Sequence, residues 1–259
     1  MGSHDPSEAP PSRVATGEPI DLSVDVIERG AERNGEPQAM DRRLFMQLQV
    51  YICGSNRAPD EVTAALGAAF RKADVRAVLY ADLSDPRSVG ILTWSEDPAH
   101  FTTRVRSILG DKAFADLTLR PDFTMTGRTY STGYESDLEY WLLRRPEETA
   151  LHEQWPWAVW YPLRRGGAFE QLAPREQGQI LKEHGIIGRA YGAKDLAHDI
   201  RLACHGLDTH DNDFVIGLIG KELHPLSHVV QRMRKTRQTR EFLTHLGPFF
   251  IGHVLDRIS

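Results

Sequence analysis

The first strongly periodic stretch of the chain, "LFMQLQVYIC" at 44–53, alternates apolar and polar residues as a half-buried strand does. "APDEVTAALGAAFRKA" (58–73) changes to helical spacing, and "VRAVLYADL" (75–83) and "VGILTWS" (89–95) predict two more strands. "DPAHFTTRVRSIL" (97–109) returns to helical spacing, and "DFTMTGRTY" (122–130) predicts another strand. The same order then recurs. "WPWAVWYPL" (155–163) predicts a strand, "PREQGQILKEHGIIGRAYG" (174–192) a helix, "HDIRLAC" (198–204) and "DFVIGLIG" (213–220) strands, "PLSHVVQRMRKT" (225–236) a helix and "PFFIGHVL" (248–255) a closing strand. The repeat extends to local wording. "VGILTWSEDPAHFTTRVRSIL" and "FVIGLIGKELHPLSHVVQRMR" each run through a strand, a short acidic turn, a proline and an amphipathic helix.

This pattern predicts an α+β fold made of two ferredoxin-like βαββαβ halves in tandem, with antiparallel sheets and helices on the outside. Two such sheets side by side leave their other faces to enclose a space, where a ligand is expected. The expected organisation is an arm at 1–39, a first half at 40–148 and a second half at 149–259. "MGSHDP" at the start reads as an appended tag, and the Pro-, Gly-, Ser- and Glu-rich residues after it as a flexible arm outside the fold.

Composition narrows the function classes. The chain of 259 residues is 41% hydrophobic, enough to fill a core, and its net charge of −5 argues against a nucleic-acid coat, which needs a basic surface. Two cysteines, Cys53 and Cys204, are too few for a disulfide framework or a four-cysteine zinc site, and point to a reducing, cytoplasmic compartment. No apolar run approaches the roughly 20 residues a membrane span needs, and no signal peptide is evident, so neither insertion nor export is expected.

Several residues invite chemistry. His184 shares a helical stripe with Ile180, Ile187 and Tyr191. It is either a core histidine satisfied by a backbone carbonyl or an axial ligand. Gly185 and Gly188 beside it strip that face of side chains at roughly 1 kcal/mol each, which close approach of a flat ligand would offset. "WPWAVWYPLRR" (155–165) holds three of the five tryptophans. Alternation puts Trp155, Trp157, Val159, Tyr161 and Leu163 on one face and Trp160 on the other. That strand is either aromatic core or the wall of a cofactor pocket, with Tyr161 an oxidisable phenol and Arg164 and Arg165 holding an anion. "RMRKTRQTR" gathers Arg232, Arg234, Lys235, Arg237 and Arg240, as a solvated face or a carboxylate clamp, with Arg234 expected to point inward beside Val230. Asp208, His210, Asp211 and Asp213 lack calcium-loop spacing and read as a polar turn. Nucleophile-elbow, P-loop, dinucleotide and HExxH signatures are absent.

"YPLRR" (161–165), "EHGIIGRAYG" (183–192), "GLDTHDNDFV" (206–215) and "RMRKTRQT" (232–239) together resemble the chlorite dismutase superfamily, and within it most of all the coproheme decarboxylases. The resemblance covers about 155–255; the first half matches in element order only. It implies paired ferredoxin-like halves, a tetrapyrrole bound in the second half and a homopentamer. It further implies peroxide-dependent oxidative decarboxylation of two propionates of iron coproporphyrin III to haem b, through a tyrosine radical, with hydrogen peroxide as oxidant. The protein would work in the cytoplasm, in transient contact with other haem-biosynthesis enzymes.

By the same resemblance, His184 matches the axial iron ligand and Tyr161 the radical-forming tyrosine. Arg165 falls where the family usually carries an assisting lysine. Arg234 and Thr239 match a propionate-binding arginine and its neighbouring hydroxyl, Leu163 lines the substrate site, and Arg144 and Arg145 match a further propionate clamp. The distal position above the iron falls at Asp199 by counting, or at Arg201 after a two-residue register slip. An arginine there suits chlorite dismutase or peroxidase chemistry, and loss of the chemistry would leave a non-enzymatic haem-binding or haem-sensing protein.

Overall fold

The computed structural model describes residues 23–259. The tag and the beginning of the arm lie outside the described residues. The end of the arm is structured, contrary to expectation: β1 (Glu28–Arg33) and β2 (Glu36–Met40) form an antiparallel hairpin. Its turn is Asn34–Gly35, with φ of 56° and 81°, the pair of positive angles that a type I′ turn requires. Gln38 ties the hairpin down, donating from Nε2 to the carbonyls of Ala31 (2.7 Å) and Glu135 (2.9 Å). The "NG" signal is present in the sequence, but the polar residues around it lack an apolar face.

The first half contains β3 (Phe45–Ile52), α1 (Pro59–Lys72), β4 (Ala77–Asp82), β5 (Ser88–Ser95), a π-turn at Phe101–Val105 leading into α2 (Arg106–Leu109), the short β6 (Thr118–Leu119) and β7 (Met125–Arg128). A second π-turn, Tyr140–Arg144, runs into α3 (Arg145–Leu151) and joins the halves. The second half contains β8 (Trp157–Arg165), α4 (Pro174–Gly192), β9 (His198–Ala203), β10 (Phe214–Gly220), α5 (Leu223–Met233), a π-turn at Gln238–Phe242, β11 (Leu243–Leu246) and β12 (Phe250–Ile258).

The strands run β7-β3-β5-β4 in the first half and β12-β8-β10-β9 in the second. Both are the antiparallel 4-1-3-2 order of a ferredoxin-like unit. The β4–β12 ladder joins the sheets along one seam, and a single pair, Arg128 opposite Ala203, joins them along the other. The eight principal strands therefore close into a barrel.

Barrel closure corrects one expectation: the enclosed space is filled by the protein's own side chains. Met46, Leu48, Trp94, Trp160, Ile200 and Phe250 fill it, all buried. An eight-stranded barrel has an interior just wide enough for its own side chains. Gly217 shows how tight the filling is, since a Cβ there would stand 2.6 Å from the Trp160 indole. Trp160→Ala should cost about 3–5 kcal/mol of stability, the range for a deleted buried aromatic; urea unfolding measures it, and a loss below about 1 kcal/mol would refute the packing argument.

The outer faces of the two halves differ in how fully their helices cover them. The first half packs Val62, Leu66 and Phe70 of α1 onto Leu79 and Ile91, all fully buried. In the second half Ile180 is the one buried residue of the much longer α4, and Ile187, Tyr191, Phe214, Ile216 and Met233 are only partly covered. We call this incompletely covered face between α4 and the second sheet the crevice.

Candidate functional site

β8 alternates as its sequence predicts. Ala158 and Trp160 enter the barrel, while Trp157, Val159, Tyr161 and Leu163 face the helices. Trp155 departs from that scheme, because it precedes the strand and packs against the barrel cluster, stacked between His152 (3.6 Å) and His198 (3.7 Å). Arg164 and Arg165 point to opposite sides. Arg164 reaches the carbonyl of His210, away from the crevice. Arg165 follows Tyr161 and Leu163 onto the crevice side, its guanidinium 4.2 Å from the Phe169 ring centre and 5.0 Å from that of Phe214.

The ladder register fixes what stands beside Tyr161. Ile216 of β10 pairs with Tyr161 on one side and Arg201 on the other, so these three form one row across the sheet. Val159, Leu218 and Asp199 form the next row. Tyr161 and Arg201 are thus separated by two strand spacings, roughly 10 Å. Between the candidates of the distal pocket, Arg201 shares the tyrosine's row and Asp199 lies diagonal to it.

Tyr161 is buried, and Phe249 stacks on it at 4.7 Å with an interplanar angle of 29°. Gly247, at φ 106°, makes the turn that brings Phe249 there. Burial first, and then the Asp199 carboxylate, push the phenol well above its ordinary pKa, against the opposing charge of Arg234. The phenol therefore stays protonated at neutral pH.

His184 faces this wall from α4. Burial and the positive charge of Arg165 push its pKa down to about 4, so the imidazole is neutral. Its Nδ1 lies 3.4 Å from the Thr236 hydroxyl, which itself donates to the Met233 carbonyl at 2.7 Å. With its one proton engaged there, Thr236 accepts from Nδ1–H, which leaves the lone pair on Nε2. Nε2 has no hydrogen-bond partner among the described residues. A neutral imidazole with this tautomer is a prepared metal ligand. Thr239 joins through Thr236, the two hydroxyls 3.3 Å apart. Sequence reasoning missed Thr236 because a lone threonine after a helix carries no signal; only its contact with His184 reveals it.

Arg145 reaches the crevice and Arg144 does not. Arg145 lies 4.6 Å from the ring centre of Trp141 and donates to Asp199, whereas the exposed Arg144 lies over Tyr140 near Asp137. Arg234 corrects the inward expectation: it caps α5 and its side chain is exposed, with only its charge reaching Tyr161. Arg237 is tied outside by Glu176 and Glu241, each at 2.8 Å. Asp208 serves the turn, accepting from the backbone N–H of His210 (2.7 Å) and from Asn212 (2.8 Å). Tyr130, unremarked in the sequence beyond its strand, tilts against Phe214 at 5.6 Å with the charges of Arg201 and Arg165 acting on it.

The family model described as chlorite dismutase matches residues 111–255. The chain belongs to the chlorite dismutase family. Solved structures similar to it include a novel heme-binding protein from Thermus thermophilus, with TM-score 0.66, 17% identity, and 83% of this chain and 92% of that one covered. A mutant chlorite dismutase from Candidatus Nitrospira defluvii has TM-score 0.66 and 12% identity over 84% of this chain and 93% of that one. The chlorite dismutase of the same organism in complex with imidazole has TM-score 0.65 and 13% identity over the same shares. No curated protein matches the chain significantly. Likeness at these identities shows the shared fold of the family. No helix among the described residues is long and apolar enough to cross a membrane.

Proposed function

We propose that the crevice between α4 and the second sheet binds an iron tetrapyrrole through His184, and that the protein is a peroxide-dependent coproheme decarboxylase making haem b from iron coproporphyrin III. The observation that carries this reading is the buried, protonated phenol of Tyr161 on the wall that a neutral, ligand-ready His184 faces. The residues fit the group. A Cβ at Gly188 would meet nothing nearer than Met233 at 3.9 Å, and one at Gly185 only the end of Arg189 at 3.4 Å, so the ligand helix offers a bare surface to a flat molecule. The buried Nε of Arg165 has no hydrogen-bond partner, its one ion pair among the described residues is a 3.8 Å contact with the exposed Glu170, and Arg234 has no ion pair among them. Both are cations available to carboxylates.

When bound, the iron porphyrin and hydrogen peroxide supply the oxidising power that releases carbon dioxide from two propionates and leaves vinyl groups. The protein's part is placement. His184 Nε2 fixes the iron, with Thr236 holding the imidazole in the ligating tautomer. Arg165 and Arg234 anchor carboxylates, and Leu163 and Ile216 supply apolar wall on either side of Tyr161. Tyr161 Oη, too buried to ionise first, would give its hydrogen atom to the oxidant that peroxide supplies and take one back from the propionate, which then loses carbon dioxide, so the phenol ends as it began. Arg165 stays a cation and therefore acts as an anchor and not as a proton donor.

The test is to add iron coproporphyrin III and then peroxide, and to follow mass. Loss of two carboxyl groups is expected; stable binding without mass change would replace the reading with a haem-binding or haem-sensing protein. A second enzymatic reading, chlorite breakdown, is favoured by one observation, the position of Arg201 in the row of Tyr161. Oxygen release from chlorite would establish it. Thr236→Val should weaken haem binding roughly tenfold, as loss of a ligand's outer hydrogen bond does; an unchanged dissociation constant would remove Thr236 from the site.

A further inference from the structure

Asp199 lies diagonal to Tyr161 across the second sheet, and two arginines are committed to it. Arg145 donates from Nη1 to its backbone carbonyl at 2.7 Å and from Nη2 to Oδ1 at 2.9 Å. The Nε edge of Arg201 lies 3.1 Å from the other carboxylate oxygen. Both Asp199 oxygens are therefore held by guanidinium groups, one delivered from α3 and one from two residues along β9. Burial opposes the charged form of Asp199 and of Arg201, and their mutual pairing outweighs it, keeping the carboxyl below the usual range and Arg201 above its own. Yet their side chains remain 39% and 38% exposed. They form a paired charge on an open crevice wall.

Beside this pair is a cavity of ≈ 20 Å³ lined by Tyr130, Glu135, Trp141, Arg145 and Arg201, among others. That is room for about one water-sized molecule. Arg145 enters directly after the π-turn Tyr140–Arg144, with Trp141 of that turn beneath its guanidinium. Such turns place side chains that a regular helix would aim elsewhere.

Resting on the tetrapyrrole reading of the crevice, we propose that Asp199 is a specificity-determining positioning residue, which occupies Arg201 and offsets one of the two positive charges of Arg145 and Arg201, so that the pocket attracts a small anion less and favours a neutral oxidant such as hydrogen peroxide. A free arginine in the row of Tyr161 would attract an anion and donate hydrogen bonds to it. Bound along its Nε edge to a carboxylate that Arg145 shares, it offers a partly offset charge and less than its full fork. The two arginines without this carboxylate, Arg165 and Arg234, remain for substrate carboxylates. Selection here works by withholding an attraction, which is how a site discriminates against a competitor that its shape alone would admit.

The probe is fluoride, titrated into protein reconstituted with haem b and followed by absorption, so that no turnover is needed. Asp199→Asn should bind fluoride roughly tenfold more tightly than wild type, the effect of freeing one nearby unit charge in a partly shielded site. In Asp199→Asn/Arg201→Met that gain should vanish. Equal affinity in wild type and Asp199→Asn would overturn the proposal. A gain that persists without Arg201 would overturn it too, because removal of a negative charge would then act without positioning the arginine. If Asp199→Asn does not fold, Arg145→Gln serves: leaving the carboxylate to Arg201 alone, it should weaken fluoride binding several-fold, and an unchanged affinity would sink the clamp. Wild-type protein that takes up no haem overturns the site reading together with the clamp, whereas normal haem uptake with any of the adverse fluoride results overturns the clamp alone.

Discussion

Replacing His184 by alanine should abolish the absorption band of bound haem, with an expected fall in affinity of roughly 100-fold or more, the upper end of what disturbing a metal ligand's surroundings costs. The imidazole supplies the iron's only protein ligand in the proposed site, and the wall opposite offers a phenol held protonated and a paired arginine, neither of which substitutes for it. Titration of haem into the variant measures this, and an unchanged spectrum would refute the assignment. The same residue has a consequence in cofactor-free protein. His184 titrates at about 4 when folded, against 6.5 ordinarily, so between those values the unfolded chain binds a proton that the folded one does not. Stability therefore rises with pH across this window and is lost as pH falls through it. His184→Leu should flatten the slope between pH 4 and 6.5; identical pH profiles of the two proteins would show that His184 is not buried neutral.

Much of this is legible in the chain because period and position coincide. The order of elements is set by apolar spacing, and spacing repeats between "VGILTWSEDPAHFTTRVRSIL" and "FVIGLIGKELHPLSHVVQRMR", so the tandem halves can be read directly. The faces of β8 follow from alternation alone, including the split between Trp160 and Tyr161. What fails depends on closure. No local pattern says that β4 meets β12 and β7 meets β9, and without that the inner faces look like a cavity and not a core. Side-chain partners across elements are equally hidden. Arg144 and Arg145 are adjacent in sequence and read as one clamp, but the end of the π-turn sends one to Asp137 and the other to Asp199. Counting does not choose between Asp199 and Arg201, since both lie on the same face of β9. The ladder through Ile216 ranks them by row.

Tyr161→Phe should abolish decarboxylation while leaving tetrapyrrole binding intact, and this contrast separates the phenol's chemistry from its packing. The ring would stay: its stack on Phe249 and its contacts in the apolar cluster around Val159, Leu163 and Leu218 need only carbon. The hydroxyl is the part with no substitute in its row, where Ile216 is inert and Arg201 cannot yield an electron. Burial and the Asp199 carboxylate keep the phenol from losing its proton before it is oxidised, so removing the oxygen removes the transferable hydrogen atom from the site. The expected loss is on the order of a thousandfold or more in the rate of carbon dioxide release, about 4 kcal/mol of barrier, with the dissociation constant for iron coproporphyrin III nearly unchanged. Tyr130 is the one competing phenol near the same charges, but it lies against Phe214, one row farther along the sheet. Tyr130→Phe should therefore retain turnover where Tyr161→Phe does not. If instead Tyr161→Phe turns over fully and Tyr130→Phe fails, the relay belongs to Tyr130; if both turn over, the reaction does not pass through a tyrosine of this wall and the proposed mechanism is wrong.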